Sequence, residues 1–358
     1  MKKLLLSGVD VHDRTLVAKT ALGTGKAQRR AYENTPADWA RQVQELRAQS
    51  KREGGARIVV AYEASGQGFG LYDYLVSQGI ECYVLAPTRI PRSPQQRKRK
   101  NDDADAELIL DVLRGHFLAG HKLPAVQVPS RQLRDDREIT RAADDVQTKV
   151  TEVKVQIQCL LKRHQVRRPK ESGKGWTAAF RTWLAALSAC DEPLPYGSRV
   201  ALQSLLRQLS WLEGEARKLE REVGKLAEAP RHVVAVRALS RLAGVGVWTA
   251  LVFLLELGDP RRFHNRRQVG AHLGVVPSSA DSGEVVGHFG HITRQGPKRL
   301  RKVLCQAVWA RIRCHSGEQA VYERIVRRNP KHKKIAVVAC MRRLAIRMWH
   351  EACRSQAA

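Results

Sequence analysis

Four cations, Arg97-Lys98-Arg99-Lys100, run into Asn101-Asp102-Asp103-Ala104-Asp105-Ala106-Glu107, and the apolar residues Leu108, Ile109, Val112 and Leu113 follow at helical spacing. The pattern predicts a helix whose first turn carries the acids, with Asp102 and Asp105 three apart on one face. Taken alone, the motif is explained by helix capping and by the preference of the helix dipole for acids in the first turn. Two further acids weaken that explanation. Asp10 and Glu63 each stand where a predicted strand ends, and carboxylates gathered from several elements are the donor set of a hard divalent cation such as magnesium.

The elements that must position these acids can be read in order. Leu4 to Val11 and Thr15 to Ala21 are apolar runs around a His12-Asp13-Arg14 turn, the pattern of a hairpin, and a third strand is expected around Ala27 to Tyr32. Thr35-Pro36 supplies a cap and a proline for a helix that runs to about Ser50. Ile58 to Tyr62 is a buried-type strand delivering Glu63, a helix spans about Gly70 to Gln78, and Glu81 to Leu85 is a fifth strand before the proline-bearing loop Pro87 to Pro94. Three strands, helix, strand, helix, strand, helix is the order of a ribonuclease-H-like domain. In that architecture the first and fourth strands are neighbours, so Asp10 and Glu63 stand side by side with Asp102 and Asp105 brought over them. Four converging carboxylates cannot all stay ionised without a cation between them. Two metal ions there would clamp the attacking and leaving oxygens of a phosphodiester.

The chain has 358 residues and 43% hydrophobic content, enough for two or three domains with cores. Its 63 Lys+Arg against 35 Asp+Glu give +28, which points to a polyanionic partner, nucleic acid before membrane surface. No long apolar segment or lipidation motif argues for a membrane. Met1-Lys2-Lys3-Leu4-Leu5-Leu6 imitates the start of a signal peptide, but Asp10 and Asp13 break the run, so an intracellular, cytoplasmic protein is expected. The seven cysteines are scattered without a Cys-x-x-Cys pair, which argues against a disulfide framework or a zinc site and for small buried hydrophobes.

Beyond Ser130 the pattern turns helical. Val146, Val150, Val153, Ile157 and Leu160 form one heptad seam, and Leu205, Leu209, Leu212, Ala216, Leu219, Val223 and Leu226 form a second. An antiparallel helical hairpin, a coiled-coil dimerisation arm, or two ordinary core helices all fit. Pro230 opens the last region, where Leu242-Ala243-Gly244-Val245-Gly246 resembles a helix-hairpin-helix turn whose backbone N–H groups could hold a phosphate. A loop-rich stretch from Gly274 to Gly296 precedes cationic helices beginning with Lys298, Arg299, Arg301 and Lys302, with Trp309 and Trp349 expected in the core. The expected division is a ribonuclease-H-like α/β domain over 1–125, a helical coiled-coil-like region over 126–230 and a mainly helical domain over 231–358.

Val9-Asp10, Tyr62-Glu63-Ala64-Ser65-Gly66 and Lys100-Asn101-Asp102-Asp103-Ala104-Asp105-Ala106 resemble the Asp-Glu-Asp-Asp motifs of IS 110-type insertion-sequence transposases, the bridge recombinases. Gly244-Val245-Gly246, Leu257-Gly258-Asp259 with Phe263, Gly274 with Pro277, Asp281-Ser282-Gly283, Gly287 and Ile292-Thr293-Arg294-Gln295-Gly296 before Arg299-Leu300-Arg301 resemble the family's second domain. Asn101 stands where the family usually has Thr, and Ala243 where it often has Pro. Asp281 stands where many members have a further Ser, which leaves Ser282, Ser278 and Ser279 as alternatives for a nucleophile.

The resemblance implies a RuvC-like acidic site of Asp10, Glu63, Asp102 and Asp105 holding Mg2+, with two ions per site. It implies a serine, Ser282, that attacks the DNA phosphate. Lys98, Arg99, Lys100, Gly244, Gly246, Arg294, Lys298, Arg299, Arg301 and Lys302 are the candidate nucleic-acid contacts. Donor and target DNA, a structured guide RNA and a homo-oligomer, dimer or tetramer, are the partners it implies. Two other readings compete: a RuvC-like metal nuclease or junction resolvase with no covalent intermediate, and a non-enzymatic nucleic-acid binder whose acids are only helix caps.

Overall fold

The computed structural model describes residues 3–91, 102–279, 289–328 and 330–355. The chain divides into two compact units, Met1–Pro129 and Ser130–Ala358.

In the first unit, β1 (Leu4–Val11), β2 (Thr15–Leu22) and β3 (Gln28–Glu33) form a meander. It is followed by α1 (Pro36–Arg52), β4 (Arg57–Glu63), α2 (Gly70–Ser77), β5 (Glu81–Leu85) and α3 (Asp102–Ala119). The sheet order is β3-β2-β1-β4-β5. β1 pairs antiparallel with β2 and parallel with β4, and β4 is parallel to β5. Central strands buried on both faces need near-continuous apolar runs, which is why β1 and β4 read so plainly in the sequence. Alternation along each strand sorts the side chains. Leu5, Val9, Val60 and Tyr62 pack on one face with Val43, Leu46, Leu71 and Leu75 of α1 and α2. Leu6, Val59 and Ala61 pack on the other with Ile109, Leu110 and Leu113 of α3. At the start of α1 the Thr35 Oγ1 accepts from the Asp38 N–H at 3.3 Å, the expected cap.

The second unit opens with α4 (Arg131–Arg163), α5 (Ala178–Ala189) and α6 (Tyr196–Glu228). Ion pairs and hydrogen bonds link α4 to α6 and the segment after it in reverse order: His164 with Ser198, Lys154 with Glu213, Asp136 with Arg231. The two 33-residue helices therefore run antiparallel within one chain, each about 50 Å long at 1.5 Å per residue. Their seam is Val150, Val153, Ile157 and Leu160 against Leu202, Leu209 and Leu212. Ala216 and Leu219 are only half-buried, because they fall between that core and a second one that begins at Val223.

The second core is built by α7 (Pro230–Ser240), α8 (Val247–Leu257), α9 (Arg266–Leu273), α10 (Lys298–Cys314), α11 (Ser316–Arg328) and α12 (Lys333–Ser355). Three expectations are corrected here. The stretch 274–296 is not simply loop: it carries a two-stranded sheet of β6 (Pro277–Ser279) and β7 (Phe289–Ile292). A Pro-Ser-Ser strand has no apolar alternation to announce it. Trp309 is exposed, edge-on to Tyr322 at 5.8 Å, because it lies one residue off the buried stripe of Leu300, Leu304, Ala307 and Val308. Trp349 is buried as expected. Of the cysteines only Cys82 and Cys340 are buried, while Cys159, Cys190 and Cys314 are exposed and all seven are free thiols.

A charged knot joins the start of α4 to the start of α7. The Asp136 carboxylate accepts two hydrogen bonds from Arg231, one from Gln132 and one from His232. Burial pushes its pKa up, but those donors outweigh burial and hold it at about 2. Unfolded, it would titrate at the ordinary 3.8, so the knot contributes fully above that pH and is lost as pH falls toward 2. Asp136→Asn is expected to cost on the order of 2 kcal/mol at neutral pH. Urea midpoints measured from pH 2 to 7 should also show a flatter acid limb than wild type.

Candidate active site

Asp10 is the penultimate residue of β1 and Glu63 the last of β4. The last registered parallel pair is Val9 with Tyr62, so Asp10 and Glu63 occupy the next, adjacent positions. Alternation places both on the α3 face of the sheet, opposite to Val9 and Tyr62. The half-buried Asp102 and Asp105 lie in the first turn of α3.

One glycine brings these elements together. A Cβ on Gly8 would stand 2.4 Å from both the Ala106 carbonyl oxygen and the Leu110 nitrogen, so α3 rests with its backbone directly on β1. Ala106, fully buried, keeps the helix side of that contact equally small. Asp102 lies four residues before Ala106 and Asp10 lies two after Gly8, so this close approach delivers one carboxylate to the other.

Between them stands a residue that the motif reading passed over as part of a turn. The His12 Nε2 lies 3.0 Å from the Asp10 Oδ2 and 3.2 Å from the Asp102 Oδ1. The ligand atoms of Asp10, His12 and Asp102 all fall within 4.8 Å of one another. The signal for His12 was available: it is two residues from Asp10, and residues i and i+2 of extended chain project to the same side. Burial raises the pKa of the Asp10 carboxyl above the ordinary range; His12 opposes the rise, and the charges of Asp105 and Asp102 add to it. Carboxylates that repel one another while partly buried are relieved by a cation, and oxygen donors with one imidazole suit a divalent metal.

Elsewhere the candidate residues have separate settings. Gly244 has φ of +80°, and a Cβ there would meet the Ala307 carbonyl at 2.6 Å, so the glycine is required by the turn's close packing on α10. Gly246 is exposed at the start of α8. Arg294 and Lys298 are exposed. Arg299 and Lys302 make ion pairs with Asp144 and Asp145 of α4. Arg301 donates to the carbonyls of Leu273 and Gly296, bracing the base of the β6–β7 hairpin. The Ser278 hydroxyl donates across that hairpin to the His291 carbonyl at 3.0 Å. Ser282, Lys98, Arg99 and Lys100 lie outside the described residues. Among the described residues no helix is long and apolar enough to cross a membrane.

Residues 7–165 match the DEDD transposase model of the IS110 type, and residues 236–323 match the model for the transposase IS116/IS110/IS902 family, together more than half of the chain. The protein y4qE of Sinorhizobium fredii is 31% identical over 255 residues, 70% of this chain and 58% of its own length. The protein y4rJ of the same organism is 28% identical over 355 residues, 92% of this chain and 87% of its own. The transposase for insertion sequence element IS1533 of Leptospira borgpetersenii is 25% identical over 319 residues, 86% of each chain. With a β-sheet of ribonuclease-H order carrying its acids where the DEDD model matches, the chain belongs to the IS110 family of insertion-sequence transposases.

Proposed function

We propose that this chain cleaves and rejoins DNA strands for an insertion sequence by serine attack on a phosphodiester at a metal-assisted acidic site. The observation that carries the reading is the meeting of Asp10 and Asp102 around His12 at the end of the central strand β1, in a chain of transposase family. Asp10, Glu63, Asp102 and Asp105 are the residues that would hold the metal, Mg2+ in this reading and two ions per site. When bound, the ions supply charge stabilisation at the phosphate and lower the pKa of an attacking hydroxyl.

Ser282 is the proposed nucleophile. Its Oγ–P bond forms as the P–O bond to one sugar breaks, the serine proton leaving and the departing sugar oxygen taking one up. The bond energy is conserved in the phosphoserine, so a second strand can be joined without a high-energy cofactor. The engagement of the Ser278 hydroxyl within the β6–β7 hairpin supports Ser282 over Ser278.

The remaining parts of the reading follow the family and the charge of +28. Donor and target DNA are the substrates, a structured guide RNA pairs with both, and the chain works as a homo-oligomer on nucleoid DNA in the cytoplasm. Lys98, Arg99, Lys100, Gly246, Arg294 and Lys298 contact the nucleic-acid backbone. Arg299, Arg301 and Lys302 contribute less, because intramolecular acids and carbonyls already engage them. The division into 1–125, 126–230 and 231–358 belongs to the same reading; the core around Ile157 is separate from the one around Leu251, although Val223, Leu226 and Ala227 of the middle region pack in the latter.

The test is trapping of a covalent protein–DNA adduct with wild-type, Ser282→Ala and Asp102→Ala proteins. Adduct is expected from wild type alone. Adduct persisting in Ser282→Ala would remove the serine assignment. Hydrolysed ends without any adduct would turn the reading toward a metal-dependent nuclease of the junction-resolving kind.

A further inference from the structure

We propose that His12 is itself a ligand of the metal site, and that its imidazole shifts the site's preference from Mg2+ toward Mn2+. The inference rests on the reading of Asp10 and Asp102 as metal ligands.

The root of the side chain is fixed. The His12 N–H donates to the Thr15 carbonyl at 2.9 Å, and the Asn34 Nδ2 donates to the His12 carbonyl at 2.7 Å. Asn34 is held in turn, its Oδ1 accepting from the Trp39 Nε1 at 3.0 Å. The ring is thus carried by a pinned turn, outside the sheet ladder but directly beside its end.

Its Nε2 faces two carboxylate oxygens from two different elements at nearly equal distances, 3.0 and 3.2 Å. A ring nitrogen carries at most one hydrogen, and that hydrogen points in one direction. Donor atoms arranged at equal spacing are instead what a shared cation requires. Two ligands bonded at about 2.1 Å and at right angles stand about 3.0 Å apart. Asp10, His12 and Asp102 therefore offer three ligand atoms within 4.8 Å of one another, and the two separations from Nε2 match the spacing of such a bonded pair.

The identity of that nitrogen ligand changes the chemistry. Mg2+ prefers oxygen and gains little from an imidazole, whereas first-row transition ions accept nitrogen and oxygen together. A site of carboxylates alone would not discriminate in this way. His12 makes it a mixed site in which Mn2+ gains a bond that Mg2+ uses poorly.

The test uses the full chain without nucleic acid and the metals alone as probes. Pulsed electron paramagnetic resonance of bound Mn2+ is expected to show modulation from a ligand nitrogen in wild type, absent in His12→Gln. Calorimetric titration is expected to show Mn2+ affinity falling about tenfold in that variant, with Mg2+ affinity changing less than about threefold. His12→Ala, checked for native circular dichroism, is expected to reproduce both results. Unchanged nitrogen modulation, or equal losses for the two metals, would overturn the proposal. Asp10→Asn separates the two levels. If it binds Mn2+ like wild type, the acidic site itself is misassigned; if it loses the metal while His12→Gln keeps the nitrogen signal, only the role of His12 falls.

Discussion

Asp10→Asn is expected to abolish DNA cleavage, by at least about a thousandfold, while raising the stability of the metal-free protein at neutral pH. The two effects have one origin. Burial raises the Asp10 pKa, and the charges of Asp105 and Asp102 raise it further against the opposing pull of His12. The folded carboxyl then holds its proton more tightly than the unfolded one, whose ordinary value is 3.8. With more protons bound in the native state than in the unfolded state, stability falls as pH rises from 3.8 through the raised folded value. At pH 7 the wild type carries the whole of that cost, and asparagine, neutral at every pH, does not. Thermal unfolding of the full chain in chelator should therefore shift upward in the variant. Addition of divalent metal should reverse the order. At a hundred times its Kd a ligand stabilises by about 2.7 kcal/mol, a gain available to wild type and denied to the variant. An Asp10→Asn protein that melts lower than wild type in chelator at pH 7 would contradict the repulsion described here.

Gly8→Ala is expected to be nearly as damaging, although it adds one methyl group and touches no carboxylate. The new Cβ would meet the Ala106 oxygen and the Leu110 nitrogen at 2.4 Å, and both are main-chain atoms that no rotamer change can move. Either α3 lifts from β1 or the strand bends, and the fully buried Leu110 and Ile109 beside the contact lose packing in both cases. A loss of about 3 kcal/mol is expected from urea unfolding. Because Asp102 rides on the first turn of the displaced helix, its 3.2 Å approach to His12 should open, and metal affinity should fall with stability. Gly214 is the control. It lies inside α6 with nothing near its absent side chain, so Gly214→Ala should stabilise by up to about 1 kcal/mol. A Gly8→Ala protein with wild-type stability and metal binding would mean that the helix is not seated on the strand in this way.

Much of the first unit was legible because its signals are local. Val9 and Tyr62 sit in apolar runs long enough only for strands, and Thr35-Pro36 starts a helix by satisfying its own first turn. Asp10 and Glu63 could be recognised as strand-end acids, and the order of elements already set them side by side; the structure adds the β1–β4 register. For His12 the chain shows only its two-residue spacing from Asp10; its approach to Asp102, ninety residues later, belongs to the tertiary structure. The cationic start of α10 shows the same limit. Arg299 and Lys302 look alike to any helix-surface reading, and only the packing of α4 reveals the acids at positions 144 and 145 that partly neutralise them.

The residues themselves, then, determined which elements form, where the acids fall along them and how basic the chain is, since backbone preference, apolar periodicity and net charge depend on neighbours in sequence. Tertiary structure alone decided the register and close contacts by which those acids meet, and that His12 stands among them. The β1–β4 register sets Asp10 beside Glu63, the bare Cα of Gly8 admits α3, and that contact carries Asp102 to within reach of His12. The physical reason is that carboxylate repulsion, desolvation and metal affinity depend on distances in space of a few ångströms, which the spacing of residues along the chain does not contain.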